Sequence, residues 1–496
     1  MNIVTLMNFV RSADDRTERK DMVDAVRNQA RLSLEYKLPT TFMLQHDALA
    51  DKEILDLIPH EDYIEIGLWL ELNRTLVTSA GGVWEAEKEW DWHSNFDLTC
   101  GYPPEIRKNI IDIAMKDFKA VFGYYPKTIG SWEIDAVTLK YLEDNYDIDC
   151  SINCKEQWGT DGYSMWGGYY SQAFYPTVNN AFCPAGNKES QINIPIFRGL
   201  GLDVVDQYDC ESDDNGQNVI SMEPACPDSG GNKTWVTWFM DQLINNDKLS
   251  FGYVQIGQEN SFGWKLMSEG YKMQIQLMDE LLRDKKITMM TMQEAGRWYK
   301  ENYAMTPASV NFAIKKDKYA LWYCNKNFRF GMYSDSNLTY IRDIMVFDDN
   351  YFERYLADTC KTKDSYYDNL PLVDGYRWSE KLKGGGLFFS KDGNIIRDKS
   401  VVSYNRLDPD TVEVAIKYDE FTDKIVLAEK TIEIFTDYSV SFVYEQSPVC
   451  PEIKILDGKL ALRYNGFDYE VKYQGKGNDE LKTISPVDGK IVFEMV

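Results

Sequence analysis

Short, uniformly apolar runs alternate with longer segments of helical spacing across residues 1–305. Residues 3–10 form the first run. Residues 16–36 follow with Met22, Ala25, Val26, Ala30 and Leu34 on one stripe, the spacing of an amphipathic helix. Further strands are predicted at 40–45, 63–70, 128–132, 147–153, 192–197, 202–208, 250–256 and 286–290, with helices at 52–58, 104–122, 134–145, 234–246, 263–283 and 294–303. The punctuation agrees with this division. Pro104 suits a first helical turn and Gly123 an exit, Pro59 stops a helix, and Thr291-Met-Gln-Glu294 is a capping box. Apolar strands separated by helices specify a parallel sheet covered on both faces. Seven or eight such units predict an irregular parallel (β/α)7-8 barrel. No GxGxxG follows the first strand, which disfavours an open doubly wound sheet.

After Pro307 the period shortens. Alternating and β-branched runs at 319–325, 339–347, 412–418 and 431–444 are separated by Asp-Gly and Asn-Gly turns (Asp392, Asp457, Asn465, Asp488). They predict an all-β, sandwich-like C-terminal part over 306–496 behind a barrel over 1–305, with a less regular helix and loop at 352–386.

Charge narrows the partners. The 496 residues carry 54 Lys+Arg against 79 Asp+Glu, a formal charge of −25, so nucleic acid and anionic membrane are excluded as partners. No apolar run reaches membrane-spanning length, and the N-terminus lacks the basic start and apolar stretch of a signal peptide. Nine cysteines, an odd number thinly spread, are not a disulfide scaffold. A cytoplasmic location is expected, with a secreted chain trimmed of its leader as the alternative. The oligomeric state is left open.

In a parallel barrel the reacting groups come from the C-terminal ends of strands. Glu133, after the fourth strand in Ile129-Gly-Ser-Trp-Glu133, and Glu259, after the seventh in Gln258-Glu259-Asn260, are the expected catalytic pair. Two carboxylates flanking a glycosidic bond supply nucleophile or base and general acid. Glu133 is assigned the first role and Glu259 the second. His46, Asp47, Glu71, Trp92, His93, Trp132 and Gln258 are expected to bind substrate. Seven of the 13 tryptophans lie between residues 69 and 166, largely in predicted loops, and rings beside carboxylates suit the C–H face and hydroxyls of a sugar. No cofactor is expected. His46, Asp47 and His93 are the alternative, a two-histidine, one-carboxylate set for a divalent metal.

Three stretches carry a resemblance to the superfamily that joins polysaccharide deacetylases with glycoside hydrolase families 57 and 38. Tyr63-Ile-Glu-Ile-Gly-Leu-Trp-Leu-Glu-Leu-Asn73 resembles the deacetylase segment E-I-G-x-H-x-x-x-H. Ile129–Glu133 resembles the family 57 strand bearing the nucleophilic glutamate, and residues 287–298 resemble the closing strand and helix. The resemblance implies a seven-stranded β/α barrel acting on oligo- or polysaccharide. Its departures are specific. The two metal histidines would fall on Trp69 and Asn73, and the first strand ends Met-Asn-Phe-Val-Arg without paired aspartates. A glycosidase is therefore favoured; a metal-dependent deacetylase-like esterase and a non-catalytic glycan-binding protein are the alternatives.

Overall fold

The computed structural model describes residues 1–170, 172–210, 217–378, 385–445 and 450–495. Its parallel strands are β1 (Asn2–Val10), β2 (Thr40–Gln45), β3 (Ile64–Trp69), β4 (Ile129–Gly130), β5 (Ser151–Asn153), β6 (Ile196–Arg198), β7 (Gly252–Ile256) and β8 (Thr288–Met290). β1 is central. Its first half pairs with β7 and β8, and its second half with β2. The ladder continues through β3 to β4, an isolated Thr128–Cys150 bridge carries it to β5, and β5 pairs with β6.

The result is a curved parallel sheet, a half barrel. Among the described residues no ladder joins β6 to β7. The seam is instead crossed by the backbone N–H of Leu200, which donates to Gln255 Oε1 at 2.7 Å. Close approach of the strands depends on missing side chains. A Cβ on Gly130 would lie 2.2 Å from Ile152, and one on Gly67 would lie 2.4 Å from Met43.

Helices α1 (Arg19–Tyr36), α2 (Pro104–Phe122), α3 (Ala136–Asn145), α4 (Lys233–Asn245), α5 (Trp264–Arg283) and α6 (Met292–Asn302) cover the sheet. The capping box at Thr291–Glu294 forms, and Gly123 closes α2 with φ 81°. None of the helices among the described residues is long and apolar enough to cross a membrane. All nine cysteines are free thiols. The run 202–208 is not a strand. It turns into a short 3-10 helix at Gln207–Asp209, because the side chain of Asp203 accepts from the backbone of Val205 and Asp206 and bends the chain.

From Ser309 onward the chain builds a ten-stranded and an eight-stranded sheet, whose strand pairs are antiparallel and whose buried faces share one hydrophobic core. Residues 352–386 contain no helix among those described; Ser365–Asp368 and Leu370–Asp374 are strands there. This β-rich part does not sit apart from the parallel sheet. Ser365–Asp368 pairs with Tyr163–Trp166, and Trp322, Met345 and Tyr376 join a core that also holds Val10, Leu44 and Ile111. The aromatic stretch beyond Trp158 accordingly packs inward. Trp166 is 2% exposed, with its ring 4.4 Å from Tyr376 and its indole N–H donating to Asp374.

Candidate active site

The C-terminal ends of the parallel strands open into a cavity of about 380 Å³. β1 ends by delivering Arg11 to its wall. The loop after β3 brings Glu71, the exit of β4 brings Trp132, and the exit of β7 brings Glu259. Gly257 makes this last turn possible. It sits at φ 114°, and a Cβ there would lie 1.9 Å from the Met7 carbonyl, so only glycine lets the chain swing across β1. Asn260 then ties the turn to β1, accepting from Arg11 N at 3.0 Å and donating to Arg11 O at 2.9 Å.

Arg11 is the hub. One of its amino nitrogens donates to Glu71 Oε2 at 2.5 Å and to Glu259 Oε2 at 2.7 Å, and the other reaches Asp14 at 3.2 Å. Its guanidinium lies 4.1 Å from the centre of the Trp90 ring, a cation–π contact in a buried setting. Burial opposes the arginine's charge, but Glu71, Glu259 and Asp14 outweigh it and keep the group ionised. Glu71 also accepts from the Trp132 indole at 2.7 Å. Burial pushes Glu71 up to about 7, helped by the charge of Glu259 and resisted by Arg11. Asp97, held by the Trp90 indole at 2.9 Å, is driven well above the carboxylate range by burial and by Glu71.

Glu223 lines the same cavity from the segment before α4. It accepts from Ser221 Oγ at 2.8 Å and from Gln258 Nε2 at 3.2 Å, and has no ion pair among the described residues. Burial, with the nearby charges of Glu259 and Asp161, pushes it up to about 7. Glu259 is different: Arg11 balances its charge, Ser261 Oγ donates at 2.8 Å to the same Oε2, and Oε1 has no protein donor among the described residues. Two acids thus meet at one cavity, one matched by a cation and one not, which is the arrangement that separates a base from an acid.

Of the residues expected from sequence, Glu71, Glu259, Trp92 and Trp132 line this cavity. Glu133 does not. Residues leaving a strand alternate in direction, so Trp132 turns into the cavity while Glu133 turns away beneath the β-rich part. It is 2% exposed, with Ser365 Oγ donating at 2.8 Å and Cys100 Sγ at 3.4 Å. Gln258 stands behind Glu223, fixing it while accepting from Ala225 N at 3.1 Å. Asp47 accepts from the backbone of Ser12 and Ala13 and shapes the loop after β1. His46 contacts Asp117 on α2 at 3.0 Å, and His93 contacts Asp91 at 2.5 Å while stacking on Trp92.

His46, Asp47 and His93 therefore do not converge as metal ligands. The deacetylase positions do not fit a metal either. Trp69 packs between Phe9 and Trp132, and Asn73 caps the helix Arg74–Ser79 by accepting from Leu76 N. Sequence reasoning missed Arg11, Trp90, Asp97 and Glu223. Arg11 carried a signal, as a charge ending an otherwise apolar strand, and Trp90 one as a member of the tryptophan-rich loops; Glu223 lies in an irregular Pro-rich segment with no periodicity to place it.

Burial drives Glu133 well above the carboxylate range, and glutamine matches it in length and shape. Glu133→Gln is expected to leave turnover within about three-fold and to lower stability by about 1 kcal/mol, the net worth of one altered hydrogen bond. Steady-state rates and a denaturant midpoint measured on one preparation check this.

No family model matches the chain, and no curated protein matches it. Solved structures do. One, described as a "putative glycoside hydrolase/deacetylase" from Parabacteroides distasonis, is 17% identical with a TM-score of 0.55, over 74% of this chain and 90% of that one. Another, described as a "putative polysaccharide deacetylase" from Mycobacterium smegmatis, is 11% identical with a TM-score of 0.37, over 60% and 91%. The first of these likenesses establishes a shared fold over 74% of this chain.

Proposed function

We propose that this protein is a carbohydrate-active hydrolase that cleaves glycosidic bonds, with Glu259 as nucleophile or base and Glu223 as general acid. The single observation that carries this reading is the pairing of an Arg11-matched carboxylate with an unmatched one in a tryptophan-lined cavity at the strand ends. Glu223, held protonated by burial, delivers its proton to the leaving oxygen. Glu259, its Oε2 held by Arg11 and Ser261, uses its free Oε1 to attack the anomeric carbon or to draw a proton from water. Arg11 and Glu71 position Glu259, and Trp132 and Trp92 offer ring surface to the sugar. The roles differ from those first expected, because Glu133 is sealed off and Glu259 carries the cationic partner.

A second reading, removal of an acyl group from a sugar, is supported by the description of the Parabacteroides distasonis protein. Trp69 and Asn73, standing where the metal ligands would be, count against its metal-dependent form. Incubating the protein with a panel of glycans and acetylated glycans, and following both reducing ends and acetate, separates the two. Reducing ends without acetate support cleavage of the glycosidic bond, acetate alone supports deacylation, and saturable binding without either product leaves a glycan-binding protein.

The pH profile has a defined sign. The acid must be protonated, so kcat/KM is expected to fall as pH rises through about 7. A rate that stays level up to about pH 9, near the top of the range for buried carboxyls, removes Glu223 from this role.

A further inference from the structure

Resting on the carbohydrate reading above, we infer that the cavity is built for a cationic glycan, one whose sugar rings carry free amino groups. Five carboxylates line it: Glu71, Asp97, Asp161, Glu223 and Glu259. Its two guanidinium groups are already engaged. Arg11 is divided among Glu71, Glu259 and Asp14, and Arg16 holds Asp14 at 2.6 Å. Lys155 is outside the lining, its ammonium 3.5 Å from the Glu156 carbonyl, and its charge opposes the rise of Asp161. Burial, and after it the neighbouring acids, raise Glu71, Asp97, Asp161 and Glu223, so a cation bound among them would favour their charged forms.

Acceptors are also left open toward the cavity. Asp97 is 2% exposed, and only its Oδ1 has a donor among the described residues, the Trp90 indole. Glu259 offers Oε1 in the same way. Asp161 is exposed; it projects from a tight turn between Gln157–Thr160 and Tyr163–Trp166, with φ 57°, and its side chain has no hydrogen bond or ion pair among the described residues. An ammonium group brings three donors and a positive charge to such acceptors. Phe262, 36% exposed, and Leu266, 60% exposed, stand at the rim as an apolar surface for a ring face. The acids are spread around a wall rather than gathered on a point; no group of three or more among the described residues is placed to hold a metal ion. An organic cation fits that spread. A uronic or sulfated glycan would meet unmatched carboxylates, and a neutral sugar would use only their hydrogen-bonding capacity.

Calorimetric titration of the intact protein tests this with three matched β-1,4 series: glucosamine, N-acetylglucosamine and glucose oligosaccharides, with the free monosaccharides alongside. The expected result is binding of the free amine at least about ten-fold tighter than either neutral series, as for a charge-assisted contact, and weakening as salt is added. Asp161→Asn and Asp97→Asn together should reduce that preference to about two-fold or less while neutral sugars bind as before. Asparagine tolerates the left-handed backbone at position 161, and unfolding midpoints verify that both variants are folded. Equal affinity for amine and neutral series overturns the cationic inference and leaves the carbohydrate reading standing. Absence of binding by every series overturns both.

Discussion

Glu259→Gln is expected to lower kcat by about 10³–10⁴-fold while glycan affinity stays within a few-fold, the range for removing a positioned group that acts in the transition state. Glutamine keeps the length, and its carbonyl oxygen still accepts from Arg11 and Ser261, so the cavity wall keeps its shape. What is lost is the charge. That loss carries a second signature, because the charge of Glu259 is among the causes that raise Glu223 and Glu71. Both carboxyls should titrate at lower pH in the variant, visible as a downward displacement of the residual activity's high-pH limb or of the carboxyl carbon resonances. A purely structural role for Glu259 would reduce rate and binding together and leave the limb in place. Glu133→Gln is the paired control, since it alters a buried carboxyl of the same type away from the cavity.

The largest stability effect is expected at Arg329. Its side chain is fully buried, with Nε and Nη2 on the two oxygens of Asp343 at 2.8 and 2.6 Å and Nη1 on Glu156 at 2.5 Å and Gly168 O at 3.2 Å. Asp343 belongs to the β-rich part, whereas Glu156 follows β5 and is shared with Arg198 at 3.3 Å. One guanidinium therefore joins the two parts. Arg329→Met removes it, strands Asp343 and leaves Glu156 with Arg198 as its one ion-pair partner among the described residues, which is expected to cost about 3–5 kcal/mol.

The pH dependence of that loss has a defined direction. Burial already raises Asp343 from 3.8 to about 6 despite Arg329. Its contribution to stability is full at the lowest pH and is lost as pH rises through the folded value. Without Arg329 that value rises further, so the deficit of the variant is expected to be greatest above pH 7 and to shrink as pH falls below about 6. Denaturant unfolding at several pH values checks this. Replacing Arg329 and Asp343 together by apolar residues, with Glu156 kept for Arg198, should recover much of the loss, because the stranded Asp343 charge is gone.

Much of the fold was legible because it is locally encoded. The stripe on α1, the Pro104 start and Gly123 end of α2, and the capping box of α6 depend on neighbours a few residues away, so spacing alone located them. The apolar β1 read as a strand for the same reason, since burial on both faces leaves no polar alternation; its central place came from the pairing. Segment 202–208 was misread because an aspartate bonding its own backbone turns the chain, and apolarity does not register that.

Which carboxylates share a cavity is a different kind of question. Glu133 and Trp132 are adjacent in the chain and leave β4 on opposite sides, and the seating of β4 between β3 and the bridge to β5 sends the tryptophan inward. Arg11, Glu71, Glu223 and Glu259 are separated by up to 248 residues, and no pattern in one segment reports on the others. Periodicity was enough to announce a parallel α/β sheet with a β-rich region behind it, together with an acidic, tryptophan-rich set of loops. Strand register and the turn at Gly257 decided which acids meet, because side-chain direction alternates with every residue and a one-residue change reverses it. The acidic character of the cavity followed from that meeting, since Arg11 is shared among Glu71, Glu259 and Asp14 while Glu223 has no ion pair among the described residues.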